Sequence, residues 1–289
     1  MSSSAARTES SQTGTRAQRQ KKIAVIGCGK MGSILLEAFL ERKLVSAEEV
    51  AATVQHEEKS RKLSGGLGSV ALGADNRSAV AHAEVVLLCV KPQALPQVLE
   101  EIASAIAPGS LVISIAASTT AGFIQQKLGK EVPVIRAMPN TPAMVGAAMT
   151  ALCAGSAVRP EHLETARRLF ESVGRVVVVD ERHMDAITAL SASGPAFAFV
   201  ILESLAEAGV KVGLPREMAT TLAAQTLFGS AKLALETGHH PALLKDAVTT
   251  PAGCTIEGLM ELERGGLRVT LMNAVVETAK RAKELMGNN

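Results

Sequence analysis

The first 180 residues alternate between short apolar runs and longer amphipathic stretches. Apolar runs rich in β-branched residues predict buried strands, whereas apolar positions spaced three or four apart predict helices. Strands that alternate with helices in this way predict a doubly wound α/β sheet with both faces covered. The strand-like runs lie at residues 23–26, 50–54, 69–72, 85–90, 111–115, 132–136 and 176–179. Helical windows lie at residues 31–44, at residues 94–106 and in a segment that ends at Leu128.

Beyond residue 181 the strand pattern stops and only helical windows remain. The windows at residues 196–208 and 216–235 are apolar on too many sides for the surface of a monomer, so we expect this half to share its core with a second copy. Further helical windows follow at residues 243–248 and 270–285. We therefore predict a sheet domain at residues 21–181 and an all-α domain at residues 182–289.

Residues 1–20 contain Ser, Thr, Gln and Arg but lack the apolar stretch of a secretory signal. This composition is typical of a disordered tail. An Arg- and Ser-rich start can also direct a protein to an organelle, although this one is short. No run of consecutive apolar residues approaches the roughly 18–20 needed to span a bilayer. We expect a cytoplasmic protein without a membrane segment, with organelle targeting as the less favoured alternative.

Charge and composition exclude several functions. The net charge is +2, and residues 1–22 carry five Lys or Arg against one Glu, so the remaining chain is slightly acidic. A body with no basic stripe, no Trp and no Tyr disfavours nucleic-acid binding. The cysteines at positions 28, 89, 153 and 254 are far apart, so we expect neither a metal site nor disulfides.

The loop after the first strand reads Gly27-Cys28-Gly29-Lys30-Met31-Gly32. A G-x-G-x-x-G between a strand and a helix binds the pyrophosphate of a dinucleotide, because the glycines permit a tight turn and close backbone approach. The free N–H groups of the following helix start also attract phosphates. The segment Cys89-Val90-Lys91-Pro92 follows another strand at the same edge, where it either contacts the cofactor or merely ends the strand.

The end of the second strand bears on the choice between the two nicotinamide cofactors. An NAD site places an acidic residue there to hold the ribose 2′-hydroxyl. This strand ends Thr53-Val54-Gln55-His56, and the first carboxylate is Glu57, with Lys59, Arg61 and Lys62 close behind. The absence of an acidic residue and the nearby cations favour NADPH, with NADH as the alternative cofactor. The alternative interpretation of these cations is that they form the solvated face of the next helix.

Residues 248–255 form a loop of small residues before a helix expected to begin near Ile256. The amide groups of such a helix start can bind a carboxylate. Thr255 can equally be a helix cap, since Thr is a preferred residue at that position. On local chemistry alone the cap is the favoured interpretation.

Four strings in this order resemble the pyrroline-5-carboxylate reductases, and the resemblance extends from about residue 22 to residue 286. They are Arg136–Ala143 (RAMPNTPA), Leu190–Phe197 (LSASGPAF), Gly209–Arg216 (GVKVGLPR) and Val248–Leu259 (VTTPAGCTIEGL). The resemblance implies reduction of 1-pyrroline-5-carboxylate to L-proline with NAD(P)H, the final step of proline biosynthesis. It also implies a Rossmann-like domain and a helical domain that interlocks in a homodimer, with dimers assembled into larger homo-oligomers.

The resemblance also assigns roles to individual residues. Cys254 and Thr255 match the pair whose amides hold the substrate carboxylate, with the Thr255 hydroxyl facing the ring nitrogen. Thr250 and Gly253 belong to the same substrate-binding loop. Asn76 matches a residue that contacts the adenosine ribose. The cofactor segments are Ile26 to Met31, Cys89 to Pro92, and Ile115, Ala116 and Ala117 on the nicotinamide side.

The chain departs from the family pattern where small residues are usual. Ala252 and Ser118 stand where the family has Gly, and Cys254 replaces a small or hydroxyl residue. An Ala that must adopt a positive φ costs about 1 kcal/mol or more. Two alternatives to the reductase stay open, and these changes are the reason for the first. One is a dinucleotide-binding regulatory protein with little turnover on the same scaffold. The other is a hydroxy-acid dehydrogenase, which needs a catalytic lysine in the helical half.

Overall fold

The structure, a computed structural model, describes residues 21–55, 67, 69–129 and 131–287. Eight strands of this part form one sheet in the order β3-β2-β1-β4-β5-β6-β7-β8, and only the β6–β7 pair is antiparallel. The strands are β1 Lys21–Ile26, β2 Val50–Thr53, β3 Ala71–Gly73, β4 Ala83–Leu88, β5 Leu111–Ser114, β6 Val134–Met138, β7 Ala148–Ala154 and β8 Gly174–Val178. The expected tail at residues 1–20 lies outside the described residues.

Helices cover both faces of the sheet and make up the second half of the chain. Those of the sheet half are α1 Lys30–Glu41, α2 Asn76–Val80, α3 Leu95–Ile102, α4 Ala121–Leu128 and α5 Pro160–Glu171. Those of the helical half are α6 Met184–Ile187, α7 Gly194–Lys211, α8 Arg216–Thr237, α9 Pro241–Val248, α10 Cys254–Arg264 and α11 Leu267–Gly287. A π-helical turn at Thr188–Ala192 joins α6 to α7. The predicted α/β sheet followed by an all-α region is thus confirmed.

The core of the sheet half has two layers because alternate residues of each strand face opposite sides. Ile23 and Val25 of β1 pack in one layer with Phe39 of α1, and all three are buried. Ala24 and Ile26 face the other layer, which α3 and α4 cover. This sheet half therefore buries its own apolar residues without help from a second chain.

The last two strands include one that the sequence analysis missed. β7 has the sequence AMTALCA, which lacks β-branched aliphatic residues, and so it carries a weak strand signal. Helix α5, which connects β7 to β8, was also missed, since it buries only Ala166, Leu169 and Phe170. The two elements extend the sheet beyond β6 through its one antiparallel junction.

The helical half buries little of its apolar surface within the chain. Among described residues 193–285, the buried hydrophobic residues are all alanines: Ala206, Ala219, Ala223 and Ala282. By contrast, Phe199 on α7 is 63% exposed and Phe228 on α8 is 59% exposed. Helices α7 and α8 pack closely, whereas α9 and α10 contain no buried residue. The helices are therefore formed but their apolar faces are uncovered.

Residues Glu181–Lys211 form a 31-residue helical run that is long and apolar enough to cross a membrane by length and composition. This run contains isolated polar residues, so it was not predicted from uninterrupted apolar stretches. Mostly buried core helices of soluble proteins pass the same test, whereas only 6% of the apolar window of this run is buried within the chain. The start of the run packs against α11, and the Asn140 amide nitrogen donates to the Ser191 carbonyl at 3.1 Å.

Candidate active site

Two of the three glycines in the G-x-G-x-x-G segment that joins β1 to α1, Gly27 and Gly32, lie where neighbouring atoms leave little or no space for a side chain. Gly27 has φ +82°, and a Cβ built there would lie 2.5 Å from Val90 Cγ1. A Cβ on Gly32 would lie 3.1 Å from the Gly27 carbonyl oxygen and 3.2 Å from Cys89 Cβ. At Gly29 the nearest atom would be 3.9 Å away, so that position faces open space. In a G-x-G-x-x-G loop the second glycine is the one that lets the backbone approach a pyrophosphate closely.

Thr53, at the end of β2, anchors this loop, and the sequence analysis did not assign it a role. The Gly27 N–H donates to Thr53 Oγ1 at 3.2 Å, and the Cys28 N–H donates to the Thr53 carbonyl at 2.7 Å. Helix α1 then begins without a side-chain cap. Its first N–H groups therefore remain available for an anion.

The two cysteines of this region are packing residues. Burial raises the pKa of the Cys28 thiol to about 11, and Glu37 adds to the rise. Burial likewise raises the pKa of Cys89, with Cys28 as a smaller contributor. A protonated thiol is a poor nucleophile. The Cys28 side chain therefore fills space beneath the loop.

The carboxyl ends of β1, β4 and β5 bring the other predicted cofactor segments together. The Cys89 N–H donates to the Ile26 carbonyl at 2.8 Å, and the Ile115 N–H donates to the Leu88 carbonyl at 3.0 Å. Lys91 is exposed just beyond this edge. Edges of this kind bind ligands where the strand order reverses, here between β1 and β4.

Asn76 begins α2 after β3, at the same edge of the sheet. Its Nδ2 donates to Glu101 Oε2 at 2.9 Å, so the neighbouring helix α3 fixes the orientation of the amide. The side chain of Asn76, the predicted ribose contact, is therefore held in one orientation by Glu101. The other predicted determinants at this end of the site, His56 to Lys62, lie outside the described residues.

Ser118 links the nicotinamide-side segment to the helical half. It has φ +55°, in the left-handed region where glycine is favoured. Its buried hydroxyl donates to the carbonyl of Ala282 in α11 at 3.3 Å. The C-terminal helix therefore contacts the segment that follows Ile115 to Ala117.

The predicted substrate loop is a tight turn. The Gly253 N–H donates to the Thr250 carbonyl at 3.0 Å. A Cβ on Gly253 would lie 2.5 Å from Thr250 Oγ1, so glycine is required where the turn closes. Ala252 is exposed and has φ +57°, the strained conformation considered above for this position.

The favoured local interpretation of Thr255 as a helix cap is wrong. Helix α10 begins at Cys254, two residues earlier than predicted, because the turn ends at Gly253, which is the capping residue. Thr255 therefore lies within the first helical turn, and no side chain caps the helix. Exposed amides and a hydroxyl at this helix start suit a carboxylate with a polar group beside it. Within the described residues, α10 packs mainly against α11 of the same chain.

The fold and the glycine loop define a dinucleotide-binding protein of the Rossmann type with an appended helical domain. Residues 22–118 match the family model "NADP oxidoreductase coenzyme F420-dependent". Residues 181–285 match the model "Pyrroline-5-carboxylate reductase dimerisation".

Similar proteins place the chain within one family. The pyrroline-5-carboxylate reductase of Methanosarcina acetivorans is 43% identical over 92% of this chain and 98% of its own length. That of Arabidopsis thaliana is 38% identical over 91% and 95%, respectively. The solved structure of the Coxiella burnetii reductase has a TM-score of 0.84 at 35% identity and covers 92% of this chain and 99% of its own. The chain belongs to the pyrroline-5-carboxylate reductase family.

The family assignment explains the uncovered surface of the helical half. The model for dimerisation covers α6 to α10 and nearly all of α11, and most of the exposed large apolar side chains of this region lie on α7 to α11. The prediction of a helical dimerisation domain is therefore confirmed. The expected assembly of dimers into larger oligomers stays a prediction.

Proposed function

We propose that this protein reduces 1-pyrroline-5-carboxylate to L-proline with NADPH, the final step of proline biosynthesis. Membership of the reductase family supports the reaction. The observation that carries the proposal is the hydrogen bond from Ser118 to Ala282. It joins the nicotinamide side of the sheet half to α11, the helix against which the carboxylate-binding helix α10 packs.

The residues around the glycine loop fit a bound dinucleotide. The open space at Gly29 and the uncapped start of α1 suit the pyrophosphate. Cys89 to Pro92 and Ile115 to Ala117 would hold the nicotinamide, and Asn76 the adenosine ribose. When bound, the reduced nicotinamide supplies a hydride.

The substrate loop would hold 1-pyrroline-5-carboxylate by its carboxylate. The N–H groups of Cys254 and Thr255 would bind the carboxylate, with Gly253 and Thr250 shaping the turn. The Thr255 hydroxyl would face the ring nitrogen and orient the C=N bond. Hydride addition at the C=N carbon, which becomes C5 of proline, turns the protonated imine into the amine of proline, so little further acid–base catalysis is needed.

The preference for NADPH rests on the end of β2. Gln55, the last described residue of that region, is exposed and carries no charge to repel a 2′-phosphate. A related reductase from Plasmodium falciparum, 28% identical with a TM-score of 0.83, has been solved with NADP bound and covers 93% of this chain and 99% of its own. Catalytic efficiencies with NADPH and NADH should differ at least about tenfold, as loss of a charge-assisted hydrogen bond implies. Equal efficiencies would contradict the preference.

The direct test follows the absorbance of NADPH with and without 1-pyrroline-5-carboxylate. We expect oxidation that requires the substrate and yields proline. Thr255→Ala should lower the rate while leaving the NADPH affinity nearly unchanged. Thr165→Ala is the matched control, because the exposed Thr165 hydroxyl donates to the Glu161 carbonyl within its own helix, α5, outside both candidate binding loops.

A second candidate is a dinucleotide-binding protein without turnover. The strained Ala252 beside Cys254 is the observation that favours it, since a distorted loop would bind the carboxylate poorly. NADPH binding without substrate-dependent oxidation would support this alternative and remove the first.

A further inference from the structure

Arg136 is a buried charge that the proposed reaction does not use. It is the central residue of β6, is 1% exposed, and lies opposite Ser114 and Cys153 on the neighbouring strands. One guanidinium nitrogen, Nη1, donates to Glu181 Oε1 at 3.0 Å. The other two, Nε and Nη2, are buried without a hydrogen-bond partner.

Glu181 is the carboxylate that balances this charge. Burial raises the pKa of Cys153, so the thiol on the neighbouring strand stays protonated and does not neutralise the guanidinium. Glu181 Oε1 also accepts the N–H of Ala121 at 2.8 Å. Ala121 is the first residue of α4, where a negative charge is favoured by the helix dipole. One carboxylate oxygen thus connects β6, the start of α4 and the first residues of the helical half.

The arrangement is poorly suited to stabilisation alone. The Arg136 guanidinium is buried, whereas the Glu181 side chain is 39% exposed. Burying the guanidinium therefore costs desolvation free energy that a partner screened by solvent offsets only in part. Two orphaned guanidinium nitrogens add to this cost. A geometric role accounts better for the pair.

The Arg136–Glu181 pair contacts the end of the nicotinamide-side segment. Residues 115–120 connect β5 to α4 and include Ser118, which is tied to α11. Glu181 fixes the end of this segment through Ala121, and Arg136 fixes Glu181. We propose that Arg136 and Glu181 are positioning residues that set where Ile115 to Ala117 hold the nicotinamide ring relative to the substrate. This inference rests on the proposed function.

The test compares the double variant Arg136→Met, Glu181→Gln with the wild-type protein. Removing both charges avoids leaving one buried and unpaired. Misplacing reacting atoms slows chemistry strongly, so kcat should fall about tenfold or more, while the Kd for NADPH changes less than about threefold. The affinity is retained because the glycine loop, which grips the pyrophosphate, is unchanged. The kinetic isotope effect with NADPH deuterated at the transferred position should rise.

Asp180→Asn is the control. It removes the carboxylate of the residue next to Glu181, and this exposed Asp180 carboxylate pairs with Arg182 on the surface. It should leave kcat and the isotope effect unchanged. A folded double variant with wild-type kcat and isotope effect would overturn the positioning role. If the double variant does not fold, Glu181→Gln alone is tested in the same way: kcat should fall, while the Kd for NADPH should change little. A wild-type protein with no substrate-dependent oxidation would instead remove the proposed function.

Discussion

The two halves of the molecule bury their apolar residues in different ways. In the sheet half, side chains such as Phe39 and Phe170 are completely buried between strands and helices of the same chain. In the helical half, Phe199 and Phe228 are mostly exposed on helices that are fully formed. The first half is a complete folding unit, and the second requires a partner surface.

This difference extends to the two candidate binding loops. The Gly27–Gly32 loop is fixed from outside, by Thr53 and by the packing of Val90. The Thr250–Gly253 loop is held by a hydrogen bond within itself and includes a strained Ala252. We infer that the cofactor site is preformed in one chain, whereas the substrate site depends on how the helical half is supported.

The largest effect should come from Gly27→Ala. The new Cβ would lie 2.5 Å from Val90 Cγ1 at a positive φ, and strain plus overpacking of about 2–4 kcal/mol should weaken NADPH binding at least 30-fold. Fluorescence titration with NADPH measures this. Gly122→Ala is the control, since no neighbouring atom lies within 4 Å of the added methyl group. Equal affinities for the two variants would show that the glycine loop is not the preformed site.

Phe228→Asp should dissociate the dimer and thereby distinguish the role of the helical half from that of the sheet half. A charge on the exposed face of α8 should destabilise the dimer by about 2–4 kcal/mol, as expected for an aromatic anchor of an interface. Sedimentation velocity should then show monomers that still bind NADPH but no longer reduce the substrate. Arg167→Asp, on the exposed surface of α5, should remain dimeric and active. A dimeric Phe228→Asp variant with full activity would contradict the assigned interface.

A smaller effect is expected from Thr53→Val, which keeps the shape of the side chain but removes the acceptor for the Gly27 N–H. An unsatisfied buried donor costs about 1–3 kcal/mol, so the KM for NADPH should rise about tenfold with little change in kcat. Thr53→Ser should restore the wild-type KM because it retains the hydroxyl. If Thr53→Val binds NADPH normally, the loop does not need this anchor.

The smallest change should follow from substitutions at Ala252. Relief of the left-handed conformation by glycine gains about 1 kcal/mol, but the added freedom of the unfolded chain offsets most of it. Ala252→Gly should therefore leave stability within about 0.5 kcal/mol and lower the KM for 1-pyrroline-5-carboxylate modestly. Ala252→Val should raise that KM because a branched residue is disfavoured at φ +57°. A lower KM for Ala252→Val would show that this turn does not limit substrate binding.

The strands that could be predicted from the sequence are those with continuous apolar runs, such as the VVLL of β4 and the LVI of β5. It missed β7, whose burial depends on neighbouring strands rather than on its own composition. The glycine loop was predictable because its G-x-G-x-x-G spacing lies directly between a strand and a helix. The role of Thr53 was not, since its two hydrogen bonds join residues about 26 positions apart.

Local sequence patterns also failed to predict the start of α10 and the burial of Arg136. The start of α10 was placed two residues late because the turn at Ala252 and Gly253 ends the loop earlier than the threonine signal indicates. Arg136 belongs to one of the family strings, but it is buried because β6 lies between β5 and β7 in the sheet. Long-range packing therefore decided the roles that local patterns left open.

The most direct test is a crystal structure with oxidised NADP and proline bound together. The nicotinamide C4 should lie within roughly 3–3.5 Å of the proline ring carbon C5, as hydride transfer requires. The proline carboxylate should accept hydrogen bonds from the backbone N–H groups of Cys254 and Thr255. Proline bound away from the nicotinamide, or with its carboxylate held elsewhere, would contradict the account.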